Sequence, residues 1–491
     1  MKILLIDPPF QRFMKFKCDW FPLGLGYLAS ALIREGHETH IYNAEFHNQQ
    51  QYLRTSKLME SFDMYLDALH DRSHDVWSDI RQTIARYAPD VVGITSPTVK
   101  FASAVAIAEI CKKHFPQIPV ILGGPHATNC PHDALSKDVI DIAVIGEGEQ
   151  TFVELVDALQ NWRDISDIKG IGYRDADGVI TLNPKRELIE DIDTLPFPAR
   201  DRLLNGERLE SESMGNMITS RGCPFQCTYC AAHTVWTRKV RFRSIENIVE
   251  EVKLIHEKFG TLQFTFWDDC FTLKKSRVLH FCELLRQEGL NINWGCNTRF
   301  DLLDEELIKE MKYAGCNNIE LGVESGSPKV LEKIRKGIST DQMHKVAELL
   351  NRYKMYWSAF FMIGFPYEDA RDILDTVNLM KKIKPCWCTF SIFTPYPGTE
   401  LYEDSDRMGL LPEEFDWSAF GHQSPHNSFT AHLSPDRFSE IAKLTAREID
   451  KYNRKPSLLL KKGITRIPLY WSSPKTFFGD SKKLFGWLGI A

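Results

Sequence analysis

The sequence predicts an α/β protein: an N-terminal doubly wound, flavodoxin-like domain, then a full or partial parallel (β/α) barrel and a C-terminal helical segment. Three observations support this fold class. Short, almost fully apolar runs alternate with helical patterns through residues 1–165. The alternation stops over residues 166–211 and starts again near Met217. With 491 residues, 43% of them hydrophobic, the chain is long enough to bury several cores.

Composition and charge exclude several classes of protein. The net charge of -6 argues against wholesale binding of nucleic acid. The sequence contains no run of 18 apolar residues, so we expect no transmembrane helix. The opening segment MKILLIDPPF is typical of a β-strand and not of an export signal. Twelve cysteines are too few for a disulfide framework in a chain of this length, so we expect a cytoplasmic protein whose clustered cysteines serve a metal or catalysis.

The first unit is predicted from helix and strand patterns that follow one another. Apolar residues at helical spacing indicate helices at residues 23–34, 102–114 and 150–159. Strands are expected at residues 2–6, 38–42, 91–95, 119–122 and 142–145. Because these strands are apolar throughout, they should form a parallel sheet that is covered on both faces. Five such strands indicate the flavodoxin-like arrangement.

The remainder divides into a linker, a second unit and a tail. Residues 166–211 carry a hairpin pattern with an Asp-Gly turn and then a connector that contains prolines. Residues 212–414 hold about six βα units, which indicate a barrel with its chemistry at the carboxyl ends of the strands. The expected strands are residues 217–220, 262–267, 291–297, 318–323, 357–363 and 389–394. The expected helices are residues 245–258, 277–288, 304–314, 340–352 and 370–382.

The tail, residues 415–491, begins with an irregular stretch and one predicted helix at residues 434–454. Its last part, residues 455–491, holds seven Lys or Arg and one acid, Asp480. Its aromatic residues are Tyr470, Trp471, Phe477, Phe478, Phe485 and Trp487. This part could pack on the barrel as a lid, dock a partner, or lie on an anionic membrane surface. Packing is slightly favoured, because the aromatic residues show no clear amphipathic period.

The strongest motif is RGCPFQCTYC, in which Cys223, Cys227 and Cys230 follow the spacing C-x₃-C-x₂-C. A [4Fe–4S] cluster normally takes four cysteines, so a loop with three leaves one iron open to another ligand. An open iron is a site for chemistry and not only for electron transfer. The alternatives are chance clustering of the cysteines, or zinc, which would need a fourth ligand and usually takes C-x₂-C pairs.

This motif resembles the radical S-adenosylmethionine (radical SAM) superfamily, including its aromatic residue before the last cysteine, here Tyr229. The resemblance covers about residues 212–410. It implies a [4Fe–4S] cluster on Cys223, Cys227 and Cys230. It also implies that S-adenosylmethionine chelates the open iron through its amino and carboxylate groups. One electron would then release methionine and a 5′-deoxyadenosyl radical, which abstracts a hydrogen atom from an unactivated carbon.

Residues at the ends of later strands resemble the family's S-adenosylmethionine site. Asp268 would accept a hydrogen bond from the methionine amino group, or else cap a helix. Arg299 offers a rigid fork for the methionine carboxylate or the ribose, or else forms a surface salt bridge. Glu324 and Ser325 would contact the ribose and the carboxylate. Gly364 would allow close approach of the adenine, unless it is a packing glycine.

Two further features concern the substrate. Tyr396, in the segment FTPYPGTELYE, is the candidate residue of the substrate cavity. The segment after Cys230 resembles family members that methylate phosphonates and other natural-product precursors. Its basic and aromatic residues could form a site for an anionic group, although a solvated cover is the favoured alternative. These residues are His233, Trp236, Arg238, Lys239 and Arg241.

The first unit should bind its ligand at the carboxyl ends of its strands. Together with the cysteine motif, its segments FPLGLGYLASALIREGH, GGPHAT and GEGE resemble cobalamin-binding radical SAM enzymes. The candidate cobalamin-binding residues are Thr95, Ser96, Gly123, Gly124, His126, Gly146 and Glu147. The motif D-x-H-x-x-G is absent, because Asp7 is followed by two prolines, so we expect no protein histidine on cobalt. His126 is expected near the nucleotide tail or in a turn.

The resemblance implies three cofactors: a [4Fe–4S] cluster, S-adenosylmethionine and cobalamin. It also implies a flavodoxin-type or ferredoxin-type electron donor. One S-adenosylmethionine would methylate cobalamin and a second would activate the substrate, a small-molecule or lipid-like intermediate, for methylation at carbon. Three alternatives stay open: ring cyclisation or rearrangement without methyl transfer, a radical SAM enzyme without cobalamin, and a cobalamin-binding sensor or scaffold with an electron-transfer cluster.

Overall fold

The computed structural model describes residues 1–16, 18, 20–46, 54–472, 477, 478 and 481. The strands of the first sheet are β1 Lys2–Asp7, β2 Glu38–Asn43, β3 Val91–Thr95, β4 Val120–Gly123, β5 Ile142–Val144, β6 Ile171–Arg174 and β7 Ile180–Leu182. Their order is β2-β1-β3-β4-β5-β6-β7. The first five strands are parallel and follow the flavodoxin-like order, which confirms the predicted fold. The predicted hairpin is β6 and β7, and it extends this sheet in antiparallel fashion beside β5.

Eight helices accompany the first sheet in the described residues. They are α1 Leu23–Arg34, α2 Thr55–Glu60, α3 Phe62–His70, α4 Asp75–Tyr87, α5 Phe101–His114, α6 Pro125–Asn129, α7 Pro131–Leu135 and α8 Gly148–Gln160. Helices α1, α5 and α8 match the expected positions. The sequence patterns missed α2, α3 and α4, although α4 buries a face formed by Val76, Trp77, Ile80 and Ile84.

The second unit is an open parallel sheet. The strands of this unit are β8 Asn216–Met217, β9 Ser220–Arg221, β10 Arg241–Phe242, β11 Gln263–Phe266, β12 Asn293–Thr298, β13 Cys316–Glu324, β14 Trp357–Ile363 and β15 Trp387–Ile392. Six of them form one sheet in the order β15-β14-β13-β12-β11-β8, whereas β9 and β10 form an antiparallel pair. The second unit is therefore a partial parallel barrel, one of the two predicted forms.

Helices cover this sheet and continue into the tail. They are α9 Ala232–Trp236, α10 Ile245–Phe259, α11 Lys275–Gln287, α12 Glu305–Tyr313, α13 Pro328–Lys333, α14 Thr340–Arg352, α15 Ala370–Ile383, α16 Glu400–Arg407, α17 Pro435–Asn453 and α18 Pro456–Ser472. Helices α14 and α15 both begin with a capping box, which explains why they start where they do. No helix within the described residues has the length and apolar character needed to cross a membrane.

Helix α17 holds the two units together. Near its end, the Asn453 amide pairs with the backbone of Cys388 on β15, at 2.9 Å to the N–H and 2.8 Å to the carbonyl. It thereby satisfies polar groups at the sheet's open edge. One turn earlier, Asp450 accepts hydrogen bonds from the backbone N–H groups of Thr55 and Ser56 at the start of α2. The predicted C-terminal helix therefore connects the edge strand of the second sheet with helix α2 of the first unit.

Candidate active site

The three cysteines lie in the loop between β9 and α9, hereafter the cysteine loop, residues 222–231. All three are free thiols, and Cys227 is the most buried of them. The loop begins at Gly222, whose φ is +102° and where a Cβ atom would lie 2.3 Å from the carbonyl oxygen of Lys239. Only glycine fits that position. The backbone N–H of Thr228 donates to the carbonyl of Ile334 at 3.1 Å, which anchors the loop against the segment after α13.

The loop suits a cluster better than a single metal ion. In the part of the chain that is described, no three His, Cys, Asp or Glu side chains converge on one ion. A cubane cluster does not need three side chains around one ion, because its three thiolates bind three different irons. Burial raises the pKa of Cys223, and it raises the pKa of Cys230 to about 12. The thiols therefore give up their protons when the metal binds.

Arg299 follows β12 and lies against the cysteine loop. Its guanidinium stacks 3.6 Å from the centroid of the Phe225 ring, and its Nη1 is 3.9 Å from Cys227 Sγ. Its Nε and Nη2 donate to the carboxylate of Asp301, and Nη2 also donates to the carbonyl oxygen of Lys336. Arg299 is buried, so it is not a surface salt bridge. Its contact with S-adenosylmethionine stays a prediction.

Asp268 lies after β11, at the end of the strand where the sequence placed it. Its carboxylate is buried and accepts hydrogen bonds from the backbone N–H groups of Thr219 at 2.6 Å and Ser220 at 2.8 Å, and from the Thr219 hydroxyl. These contacts use both carboxylate oxygens of Asp268, and its contact with the methionine amino group stays a prediction. The neighbouring Asp269 is exposed, and its charge acts on Cys223 and Cys230 by raising their pKa values. Asp269 is the carboxylate that faces the loop.

A buried Glu–Lys pair lies behind the cysteine loop. Glu324, at the end of β13, has a φ of +65°, a conformation that is strained for a residue with a side chain. Its Oε1 accepts a hydrogen bond from Lys336 Nζ at 2.7 Å, and the Tyr229 hydroxyl lies 3.5 Å from the same nitrogen. Lys336 was missed by the sequence analysis. The only signal for it is the Lys-Gly pair after α13, which gives no hint of burial.

Ser325 and Gly364 serve packing in this structure. Ser325 is buried, with its hydroxyl 3.2 Å from that of Thr376 on α15 and within hydrogen-bond distance of the Ser327 N–H. Its contact with S-adenosylmethionine stays a prediction. Gly364 has a φ of +89°, and a Cβ atom there would lie 2.5 Å from the ring of Phe438 on α17. This geometry favours the packing role that the sequence left open for Gly364.

Tyr396 follows β15 and is partly buried. Burial raises the pKa of its hydroxyl. Its ring lies edge-on to Phe420, 6.4 Å between centroids, at one end of an aromatic group from the tail. That group also contains Phe415 and Trp417, and Trp417 reaches His126 in the first unit at 5.1 Å. The tail thus fills the space between Tyr396 and the first unit.

A cavity of about 390 Å³ lies at the carboxyl ends of the first sheet's strands. Five predicted cobalamin-binding residues line it: Thr95, Gly123, Gly124, Gly146 and Glu147. Its other wall is formed by Ala231, Ala232, Val235 and Trp236, which directly follow Cys230. The wall is mostly apolar and rich in glycine, so it fits a flat, bulky heterocycle such as the nucleotide tail of cobalamin.

Ser96 and His126 are buried beside this cavity but do not line it. His126 Nε2 lies 3.0 Å from the carboxylate of Asp133, and its ring stacks on Phe101 with 3.8 Å between centroids. Its Nδ1 has no hydrogen-bond partner among the described residues. His126 therefore packs between the first unit and Trp417, and its expected place near the nucleotide tail stays a prediction.

The basic segment after Cys230 does not form one anion site. Arg241 is buried and pairs with Glu147, whereas Arg238 and Lys239 are exposed and contact Phe225 and Glu190. His233 Nδ1 lies 2.9 Å from the carbonyl oxygen of Cys230. Of these residues, only Trp236 lines the cavity. The alternative that this segment covers the barrel fits the structure better.

Comparisons with known proteins agree with this geometry. A radical SAM superfamily model matches residues 217–380, and a B12 binding domain model matches residues 13–156. An uncharacterised methyltransferase of Pyrococcus horikoshii is 33% identical over 94% of each chain. The anaerobic magnesium-protoporphyrin IX monomethyl ester cyclase of Rubrivivax gelatinosus is 27% identical over 92% of this chain and 77% of its own. The radical S-adenosylmethionine methyltransferase TsrM of Kitasatospora setae, solved with cobalamin and a [4Fe–4S] cluster, shares the fold at a TM-score of 0.66 and 18% identity, over 84% of this chain and 79% of its own.

Proposed function

The chain belongs to the cobalamin-binding radical SAM enzymes, and from that premise we propose that it methylates an unactivated carbon of a small biosynthetic intermediate. The predicted family, enzyme class and three cofactors are confirmed, and the sensor or scaffold alternative is set aside. One observation carries the proposal. The cavity of the first unit and the cysteine loop share a wall, because α9 lines the cavity and begins two residues after Cys230.

The protein's residues have four tasks in this reaction. Cys223, Cys227 and Cys230 hold the cluster, and the glycine-rich cavity holds the cobalamin nucleotide tail. When bound, the cluster and S-adenosylmethionine supply a 5′-deoxyadenosyl radical and cobalamin supplies a methyl group. The surrounding barrel and tail exclude water and oxygen from the space between them. Tyr396, at the inner end of the tail's aromatic group, is the residue that we place at the substrate.

Asp269 is the residue that we propose for the methionine amino group, in place of Asp268. It is the exposed carboxylate beside the cysteine loop, whereas the oxygens of Asp268 are already bonded. Arg299 supplies a cation on the other side of the loop and suits the methionine carboxylate. Both assignments predict weaker binding of S-adenosylmethionine in D269N and R299Q, with Asp268 required for folding.

Replacement of Cys227 tests the cluster assignment. Cys227→Ala should lose iron and all formation of 5′-deoxyadenosine while it still binds cobalamin, because Cys227 does not line the cobalamin cavity. Iron and cobalt per chain, and the nucleoside product, are measured in protein reconstituted without oxygen. Cys282→Ala, at a buried cysteine on α11, is the matched control and should keep both metals. Cleavage of S-adenosylmethionine by the Cys227 variant would contradict the assignment.

Cyclisation without methyl transfer is the second candidate, because a cyclase is among the relatives. The two reactions differ in how S-adenosylmethionine is consumed. Methyl transfer releases S-adenosylhomocysteine together with 5′-deoxyadenosine, whereas a reaction that only abstracts hydrogen releases 5′-deoxyadenosine alone. Turnover with candidate substrates, reduced by flavodoxin or ferredoxin as the proposed electron donor, therefore decides between them. The reducing cytoplasm is the compartment that we propose for this protein, because a reducing compartment keeps cysteines such as its twelve free ones unpaired.

Helix α18 is the part of the tail that we propose to contact an anionic membrane surface. Leu460, Ile464 and Ile467 lie on one face at helical spacing and are 66%, 55% and 44% exposed. The sequence around them is basic, although the whole chain carries -6. Packing as a lid, which the sequence slightly favoured, would have buried this face. Of the tail's other residues, Asp480, Phe485 and Trp487 lie outside the described part of the chain.

Sedimentation with vesicles tests this surface. The native protein should pellet with vesicles that contain phosphatidylserine and much less with neutral phosphatidylcholine, and high salt should reduce the effect. L460E/I464E should lose most of the binding. L254E, at an exposed leucine on α10, is the matched control and should bind like the native protein. Equal pelleting of the native protein with both kinds of vesicle would remove the proposal.

A further inference from the structure

A buried ionic cluster joins the first unit to the cysteine loop. We define it as the interdomain clamp: Glu147, Arg221 and Arg241. Glu147 Oε1 lies 2.6 Å from Arg221 Nη1, and its Oε2 lies 2.7 Å from Arg241 Nη1. All three side chains are at most 4% exposed. Glu149, at the start of α8, adds a second carboxylate to Arg221.

Each end of the clamp lies at one of the two cofactor sites. Glu147 follows β5 and lines the cavity together with Gly146. Arg221 ends β9, two residues before Cys223, and pairs across the ladder with Arg241 of β10. The Arg221 guanidinium also stacks 4.8 Å from the ring of Trp236, which lines the same cavity. The base of the cysteine loop is therefore attached to the cavity wall through Glu147 and, at Arg221, also through Glu149.

An ionic clamp gives geometry more than stability. Taking three charges out of water is costly, and an apolar contact of similar size would often be as stable. Hydrogen bonds from two planar guanidinium groups, in contrast, hold the Glu147 carboxylate in a single orientation. Burial alone would raise the pKa of Glu147, but Arg241 and Arg221 outweigh it and lower that pKa, so the carboxylate stays ionised.

We propose that the interdomain clamp is a positioning device that sets the distance between bound cobalamin and the cluster. It thereby couples cleavage of S-adenosylmethionine to the use of cobalamin. This inference rests on the proposed function and gives the GEGE segment a role that is distinct from binding a cofactor. Glu147 is a positioning residue, because it acts through Arg221 and the cysteine loop.

Glu147→Gln tests the proposal, since it keeps the shape of the side chain and removes its charge. The protein is reconstituted with iron, sulfide and hydroxocobalamin, and both centres are reduced to their paramagnetic forms. Electron paramagnetic resonance then reports the spin–spin interaction between them, which depends on their separation and needs no substrate. We expect a clear interaction in the native protein and a weaker, more scattered one in E147Q at equal iron and cobalt content.

A chemical readout accompanies the spectroscopic one. With S-adenosylmethionine and reductant but no substrate, S-adenosylhomocysteine reports methyl donation to cobalamin, and 5′-deoxyadenosine reports cleavage at the cluster. In E147Q the ratio of the first product to the second should fall by about 100-fold, the penalty expected for a misplacement of about 1 Å. Cleavage itself should continue, because the cysteines and the S-adenosylmethionine site are untouched.

The matched control is Glu251→Gln. Glu251 is a fully buried carboxylate held by Arg200 and Arg243, but none of these three lines the cavity or belongs to the cysteine loop. E251Q should lose stability as E147Q does, yet keep the native spin–spin interaction and product ratio. If E147Q does not fold, Glu149→Gln removes only the second carboxylate on Arg221 and should give an intermediate loss.

Three results would overturn the clamp proposal. They are native values in E147Q, equal losses in E251Q, and loss of cobalamin from E147Q. The last would make Glu147 a cofactor-binding residue, as the sequence analysis expected. A native protein that takes up no cobalamin, or never cleaves S-adenosylmethionine, would instead contradict the proposed function. The two failures are therefore distinct.

Discussion

At the scale of single residues, the site depends on charged groups whose burial and partners cannot be read from a sequence motif. Lys336 is buried, with Glu324 as its ion-pair partner, directly behind the cysteine loop. The same segment after α13 binds Arg299 through the carbonyl of Lys336 and the loop through the carbonyl of Ile334. The cysteines define where a cluster attaches, whereas these contacts define how the loop is held.

Lys336→Met should destabilise the protein by about 3–5 kcal/mol, because it leaves the buried Glu324 carboxylate without its cation. The double variant E324Q/K336M should be more stable than K336M alone, since no charge is then left unpaired. Denaturant unfolding of the four proteins without cofactors gives the interaction energy, expected at about 1–3 kcal/mol. Strict additivity would show that the pair contributes nothing.

At the scale of elements, the tail and the barrel meet at one glycine. Strand β14 ends at Ile363, and Gly364 then turns with a φ of +89° beneath the ring of Phe438. The N–H of Gly364 donates to Glu368, a buried acid whose pKa burial raises to about 8. Helix α17 can approach the strand ends only because this position lacks a side chain.

Gly364→Ala should therefore cost more than backbone strain alone. A left-handed conformation costs about 1–3 kcal/mol in a residue with a side chain, and the clash with Phe438 adds about 1–3 kcal/mol. Gly260→Ala is the control, because Gly260 has a φ of +66° and open space around a Cβ atom. Thermal unfolding should show the larger loss for G364A. Equal losses would mean that Phe438 moves freely.

At the scale of the whole molecule, buried ion pairs such as that of Glu251 with Arg200 and Arg243 should make the folded state sensitive to acid. Burial would raise the pKa of Glu251, but Arg243 and Arg200 outweigh it and lower that pKa below its ordinary 4.5. A carboxylate whose pKa is lower in the folded state stabilises that state at every pH above its pKa in the unfolded state. That stabilisation is lost as the pH falls through the lower, folded-state value.

Stability measured against pH checks this behaviour. At pH 7 the free energy of unfolding should be about 3–5 kcal/mol larger for the native protein than for E251Q. The difference should shrink as the pH falls below about 4.5. Urea unfolding midpoints of both proteins between pH 7 and pH 3 give the comparison. A difference that stays constant over this range would show that Glu251 is not ionised in the folded protein.

The sequence by itself determined the two parallel β/α units, the cysteine motif and the family. Each of these is written in local periodicity or in spacing along a few residues, such as C-x₃-C-x₂-C. The limits at residues 165, 211 and 414 and the contacts of each cofactor stay predictions.

Only the tertiary structure decided which side chains share a site. It directs Asp268 to Thr219, Gly364 to Phe438 and Glu147 to Arg221, although each follows a strand where a ligand contact was expected. The physical reason is that a buried carboxylate needs hydrogen-bond donors and a buried ring needs space, and these partners lie 49 to 74 residues away in the sequence. Spacing along the chain carries no information about such partners, so folding alone brings them together.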